Sequence, residues 1–232
     1  MDLFLKLIDI NFIIVTILEY ELSFIEFVGV ISGLACVWLT AKEKIICWPV
    51  GILNILCFLV MFYQIQLYSD ALLQVFFFIT TIYGWYSWAN PKNEKDKNKN
   101  NELKISFLTN RNMLLMIIIT IVSTAALGFV MRKIHIFLPI IFKKAASFPF
   151  GDAFTTVASV VATFLMTKKK ADCWLFWLAT DVVATVIYFI KGINLVAIEY
   201  IIFGLIALNG YFSWTKTYKS YEEDIKIANT SA

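Results

Sequence analysis

Seven apolar blocks, each roughly 17–22 residues long, constrain this 232-residue chain more than anything else in it. They fall at about 24–40, 45–63, 70–89, 113–131, 150–166, 172–190 and 194–214. Coiled as an α-helix, such a block matches about 30 Å of hydrocarbon. Lipid offers no partner to a backbone N–H or C=O, so each block must satisfy its own, and a helix does so within one segment. The expected fold class is an all-α membrane protein of seven transmembrane helices. Composition agrees: 60% of residues are hydrophobic and 16% charged, against roughly half and a quarter in a soluble domain.

The chain overlays on itself without a gap when shifted by 126 residues. Lys42 and Lys44 meet Lys168 and Lys170, Cys47-Trp48 meets Cys173-Trp174, and Gly84, Ser87 and Trp88 meet Gly210, Ser213 and Trp214. Each copy holds three spans, and the single span between them returns the chain to its starting side. The two copies therefore share one orientation, a 3+1+3 parallel repeat of the SWEET-like kind, which places a substrate site near the midplane. The expected organisation is an amphipathic interfacial helix (1–22), a first repeat (23–90), a charged loop (91–112), a linker helix with an outer loop (113–145), a second repeat (146–215) and a tail (216–232). The N-terminal helix rests on Asp2, Lys6, Asp9, Thr16 and Tyr20 recurring on one side, with an extra span as the competing reading. The Asn-rich loop opened by Pro91 is read as solvated with little to fold on, and a short interfacial helix is expected within 132–149.

Fourteen of the twenty Lys and Arg fall in the loops and tail of one side, and six on the other. The richer side is expected to be cytoplasmic, which puts the N-terminus outside and the C-terminus inside a bacterial inner membrane. The net charge of +3 sits in loops and gives no reason to expect a nucleic-acid partner. Four cysteines (Cys36, Cys47, Cys57, Cys173) lie in or beside apolar runs without a CxxC pair, and His135 is the one histidine, so neither a metal nor a cofactor is expected. The absence of a Ser/His/Asp set, phosphate loop or nucleotide fingerprint argues against an enzyme.

Polar side chains inside spans are costly, so they carry the functional reading. On the third span Asp70, Gln74, Phe77, Thr81, Trp85 and Trp88 share a face by 3–4 spacing. The Gln74 amide both donates and accepts, which suits a substrate carrying a carbonyl and hydroxyls, or it glues helices together. On the sixth span Trp174, Trp177, Asp181 and Tyr188 share a face with Thr185. Indole faces attract cations and a carboxylate balances their charge, although Trp174 also fits an interfacial belt. Asn54, three residues after Gly51, points into the bundle or into a cavity, and its repeat mate is Thr180. Glu199 and Asn209 on the seventh span complete the candidate set; Glu199 binds charge or seals helices. Gly29 and Gly33 form a close-packing pattern, while Thr40 and Thr156 are expected to bond their own helix carbonyls.

The segments LYSDALLQVFFFITTIYGWYSW, FPFGDAFTTVASVVATFLMTKKKADCWLFW and TDVVATVIYFIKG resemble the PnuC-type vitamin transporters, whose best-known substrate is nicotinamide riboside. The likeness covers roughly residues 24–214. It implies the 3+1+3 arrangement, a homotrimer, and facilitated diffusion of an unphosphorylated vitamin that a cytoplasmic kinase then traps. Gln74, Trp174, Trp177 and Asp181 match its patterns, whereas Glu199 stands where an apolar residue is expected. Thiamine, or less readily the larger and neutral riboflavin, remains an alternative cargo, as does a non-transporting membrane scaffold.

Overall fold

Helices form where the apolar blocks predict them. Among the described residues seven long ones follow in order: α1 (Phe24–Ala41), α2 (Cys47–Gln64), α3 (Tyr68–Ala89), α4 (Asn110–Phe137), α5 (Pro149–Thr167), α6 (Cys173–Ile190) and α7 (Asn194–Thr230). Six of them are long and apolar enough to cross a membrane. The remaining one, α3, has 22 residues, about 33 Å at 1.5 Å per residue. This computed structural model describes residues 6–17, 20–64, 68–137, 147–192 and 194–230, with side chains for all of these except 17, 20, 68–70, 72, 194–195 and 224–230. The chain divides into two compact units, Met1–Leu103 and Lys104–Ala232.

In the first unit α2 is central and packs on α1 and on α3. Gly29 and Gly33 bring α1 close: a Cβ at Gly29 would lie 3.3 Å from the Cys57 Cβ, and one at Gly33 would lie 2.7 Å from the Asn54 amide nitrogen. In the second unit α4 packs on α5, α5 on α6, and α6 on α7. Large apolar side chains such as Ile79, Ile121, Val182 and Leu205 are left exposed on helix flanks, the arrangement that suits a lipid surround. Thr40 bonds to the Cys36 carbonyl and Thr156 to that of Asp152, so both hydroxyls are satisfied within their own helices.

The repeat seen in the sequence reappears as matched internal geometry. In the first unit Trp48 and Trp88 meet edge to face, with centroids 5.1 Å apart at 89°. In the second, Trp174 and Trp214 do so at 5.5 Å and 86°. Gly84 lies under the Trp48 indole and Gly210 under the Trp174 indole, each giving the ring room that a methyl would remove. The turn before each central helix is also duplicated. Glu43 donates its N–H to the Thr40 carbonyl and Lys44 to that of Leu39; Lys169 and Lys170 do the same to Met166 and Leu165. This is the Schellman pairing of a helix end. Its left-handed position holds a non-glycine in both copies, Glu43 at φ 59° and Lys169 at φ 50°.

Three expectations need correction. Residues 13–17 and 20–23 are not helical: Ile13–Ile17 and Tyr20–Ser23 pair as antiparallel strands. The run Ile-Ile-Val-Thr-Ile is wholly β-branched, and such side chains favour a strand over a helix. Ser23 ends the second strand and caps α1, its hydroxyl accepting from the Glu26 N–H at 3.3 Å. Gln64 at the end of α2 pins the chain ahead of the strands, accepting from Ile10 N–H at 2.9 Å and donating to the Ile8 carbonyl at 2.7 Å.

The loop over 91–112 is folded. In its first part the Asn98 side chain accepts from the N–H groups of Asn100 and Glu102, an Asx-type turn, and Lys97 pairs with Leu103. In the second unit Ser106 exchanges backbone bonds with Lys169 and Ala171, and Leu108 donates its N–H to the Asp172 carboxylate at 2.7 Å. Ile105 is buried, and Phe107 sits edge-on to Tyr211 and Tyr218. Two apolar anchors, the backbone bonds and the Asp172 carboxylate together hold the second part of the tract down.

The last and the linker helices overrun their expected spans: α7 continues without a break to Thr230, past the expected end at about 214, and α4 runs six residues past its expected end at 131. The short interfacial helix expected within 132–149 falls largely on 138–146, outside the described residues.

Candidate substrate-binding site

The second unit gathers most of the candidate residues on the α6–α7 seam. Gly204 of α7 sits against Asp181 of α6, where an added Cβ would lie 3.7 Å from the Asp181 Cβ. Asp181 is only 5% exposed. Among the described residues no donor or cation reaches its carboxyl group. Its backbone carbonyl takes the Thr185 hydroxyl at 2.7 Å, so that hydroxyl does not serve the side chain. One turn before Asp181, Trp177 is half-buried with its indole N–H unpartnered among the described residues.

Beyond Asp181 the seam is aromatic. Tyr188 of α6 stacks on Tyr200 of α7, with centroids 5.5 Å apart and planes 13° from parallel, and Phe203 meets Tyr200 edge-on at 6.3 Å. Tyr200 lies within electrostatic reach of Tyr188, Asp181 and Glu199. Glu199 is half-buried and has no hydrogen-bond or ion-pair partner among the described residues. At the end of α6, Lys191 stands 4.0 Å from the Asp152 carboxylate and covers the rings of Phe148 and Tyr188.

Other candidates are committed elsewhere or stand apart. Trp174 is 1% exposed and wedged between Gly210 and Trp214, the same task that Trp48 performs in the first unit. Its indole N–H is buried without a partner among the described residues, as is that of Trp48. In the first unit the Asn54 amide donates to the Gly29 carbonyl at 2.8 Å and so ties α2 to α1. Gln74 is half-buried on α3, and its amide has no partner among the described residues. Asn209 is exposed and likewise makes no hydrogen bond among them. The Asp70 side chain lies outside the described residues.

The sequence reading missed Tyr200. The signal was present, since a shift of 126 residues carries Gln74 onto Tyr200. Chemically, the seam offers a carboxyl group unpaired among the described residues, an indole N–H and a stacked aromatic pair. That set suits a flat aromatic solute bearing positive charge.

Comparison with known proteins places the chain in a family. Residues 23–216 match the nicotinamide mononucleotide transporter family. The chain is 37% identical over 210 residues to the nicotinamide riboside transporter PnuC of Escherichia coli, covering 84% of this chain and 86% of that protein. It is 26% identical to the riboflavin/roseoflavin transporter RibM of Streptomyces davaonensis, over 82% and 83% of the two chains. A crystal structure of the vitamin B3 transporter PnuC shares its fold, with a TM-score of 0.60 at 21% identity over 83% of this chain and 81% of that one. This multi-pass membrane protein belongs to the nicotinamide mononucleotide transporter family.

Proposed function

We propose that the chain takes up nicotinamide riboside by facilitated diffusion across a bacterial inner membrane, and that phosphorylation in the cytoplasm traps the product. The observation that carries this reading is the buried Asp181 carboxyl group, which has no partner among the described residues and sits one turn from Trp177 inside a membrane helix. An acid so placed is expensive unless it serves a ligand. Nicotinamide riboside is a pyridinium cation with an amide and a ribose. Asp181 balances its charge and Trp177 stacks on its ring, with Tyr188, Tyr200 and Glu199 as further contacts. Asn209, whose amide has no partner among the described residues, serves the vitamin's amide and hydroxyls; Gln74 and Asn54 of the first unit stand as separate candidate contacts. Trp174 contributes its indole N–H, which has no partner among the described residues.

In this reading the seven helices form two parallel three-helix repeats joined by α4, the N-terminus lies outside, the C-terminus is cytoplasmic, and three copies assemble. The matched tryptophan pairs and turns support a duplicated unit. The 37% identity to a protein named as a nicotinamide riboside transporter supports the cargo. Riboflavin is the second reading, favoured by the RibM likeness. It is neutral and larger, and leaves Asp181 without a charge to match.

The test is titration of the purified protein with nicotinamide riboside, thiamine and riboflavin, read by tryptophan fluorescence and paired with flux into liposomes. Nicotinamide riboside should quench the wild type, and less so Trp177→Ala. Unchanged binding in Trp177→Ala removes the seam site, and unchanged binding in Gln74→Ala removes Gln74 as a contact. Flux that follows an imposed pH gradient removes plain facilitated diffusion.

A further inference from the structure

We infer that Gly204 is a specificity-determining residue: its missing side chain keeps a methyl-sized notch open beside Asp181, and the notch admits the edge of a flat cationic ring. This inference rests on the substrate reading above.

The helical glycines of this chain are not alike. A Cβ at Gly210 would fall 2.6 Å from the Trp174 ring, one at Gly151 2.6 Å from the Ile187 Cδ1, and one at Gly33 2.7 Å from the Asn54 amide. Those glycines are required by close packing. At Gly204 the added atom would meet the Asp181 Cβ and the Leu178 Cδ1, both at 3.7 Å, which is ordinary contact distance. Helix packing therefore leaves room for alanine there. Glycine is nonetheless a poorer residue than alanine in the middle of a helix, so its presence calls for a reason other than fit between helices.

The duplicated register points to the reason. A shift of 126 residues carries Ile55 onto Asp181 and Phe78 onto Gly204. Ile55 is buried in the first unit. At equivalent positions the second unit has exchanged a large apolar pair for an acid and an absent side chain, losing volume and gaining charge. Trp177 lies one turn before Asp181 on α6, and Tyr200 one turn before Gly204 on α7, where it stacks on Tyr188. The notch thus lies beside an acid between aromatic neighbours. A neutral ring gains only contact there, whereas a cationic ring gains charge balance as well. Filling the notch with a methyl pushes the ring away from the carboxyl group without disturbing the helices.

The experiment compares wild type, Gly204→Ala and Gly204→Val as full chains in detergent. Thermal unfolding is measured alongside titration with nicotinamide riboside, thiamine and riboflavin. Alanine should leave the melting temperature at or above that of wild type while weakening the bound cation about tenfold, and valine should weaken it further. Binding by the alanine variant within twofold of wild type overturns the inference. A lowered melting temperature with alanine overturns it too, because the space would then not exist. A wild type that binds none of the three vitamins refutes the substrate reading itself, and that result is visible before any substitution is made.

Discussion

Gly210→Ala tests whether the tryptophan wedge sets the spacing of α6 and α7. The added Cβ would stand 2.6, 2.7 and 2.8 Å from the Cε2, Cζ2 and Cδ2 atoms of Trp174. Carbon atoms rest at about 3.5–4.0 Å, so the indole or the helix must retreat by about 1 Å. The ring has nowhere to go: Trp174 is 1% exposed and held edge-on by Trp214, which is fully buried. Overpacking costs about 1–3 kcal/mol, and a strike on a ring held this tightly falls in the upper half, about 2–3 kcal/mol. Replacing a mid-helix glycine with alanine returns about 1 kcal/mol of helix propensity. The net loss is about 1–2 kcal/mol, or roughly 2–8 °C in Tm for a chain of this size. Thermal unfolding in detergent reads it directly. Gly84→Ala should lose a similar amount, since Trp48 covers Gly84 in the same way. Adding Trp174→Phe to Gly210→Ala should recover part of the loss by removing the ring that is struck. If Gly210→Ala melts with the wild type, the wedge is not what holds these helices apart and the matched geometry has no energetic meaning.

Two more outcomes follow from named contacts. Asp172→Ala removes the acceptor of the Leu108 N–H and should cost about 1–3 kcal/mol, with faster proteolysis of the 91–112 segment as the visible sign. Asn54→Ala breaks the bond from α2 to the Gly29 carbonyl; bonds of this type inside membranes average about 0.6 kcal/mol, so thermal unfolding in detergent should show a Tm shift of no more than a few degrees.

The helices and their duplication were legible because both depend on local signals. Apolar length fixes a span, and the shift of 126 residues lines up Cys47-Trp48 with Cys173-Trp174 without knowledge of a single contact. Asp181 was legible for the same reason, as an acid amid apolar neighbours. What escaped depends on partners far along the chain. Nothing in residues 104–108 announces that Ser106 will bond with Lys169 and Ala171, more than sixty positions away. The N-terminal strand pair escaped because polar residues at helical spacing were given more weight than five consecutive β-branched side chains. Asn54 and Trp174 read as ligand groups by residue type alone, and only the fold reveals that each also has a packing task.

The duplicated left-handed turns carry a consequence for anyone who would rebuild this protein. Glu43 and Lys169 differ in charge yet hold the same backbone path, so the shared inheritance is a course of the main chain and not a side chain. Swapping the seven-residue connectors 40–46 and 166–172 should therefore be asymmetric. The second connector grafted into the first position brings all that the turn needs. The first, grafted into the second, arrives without Asp172 and strips the charged segment of its side-chain anchor.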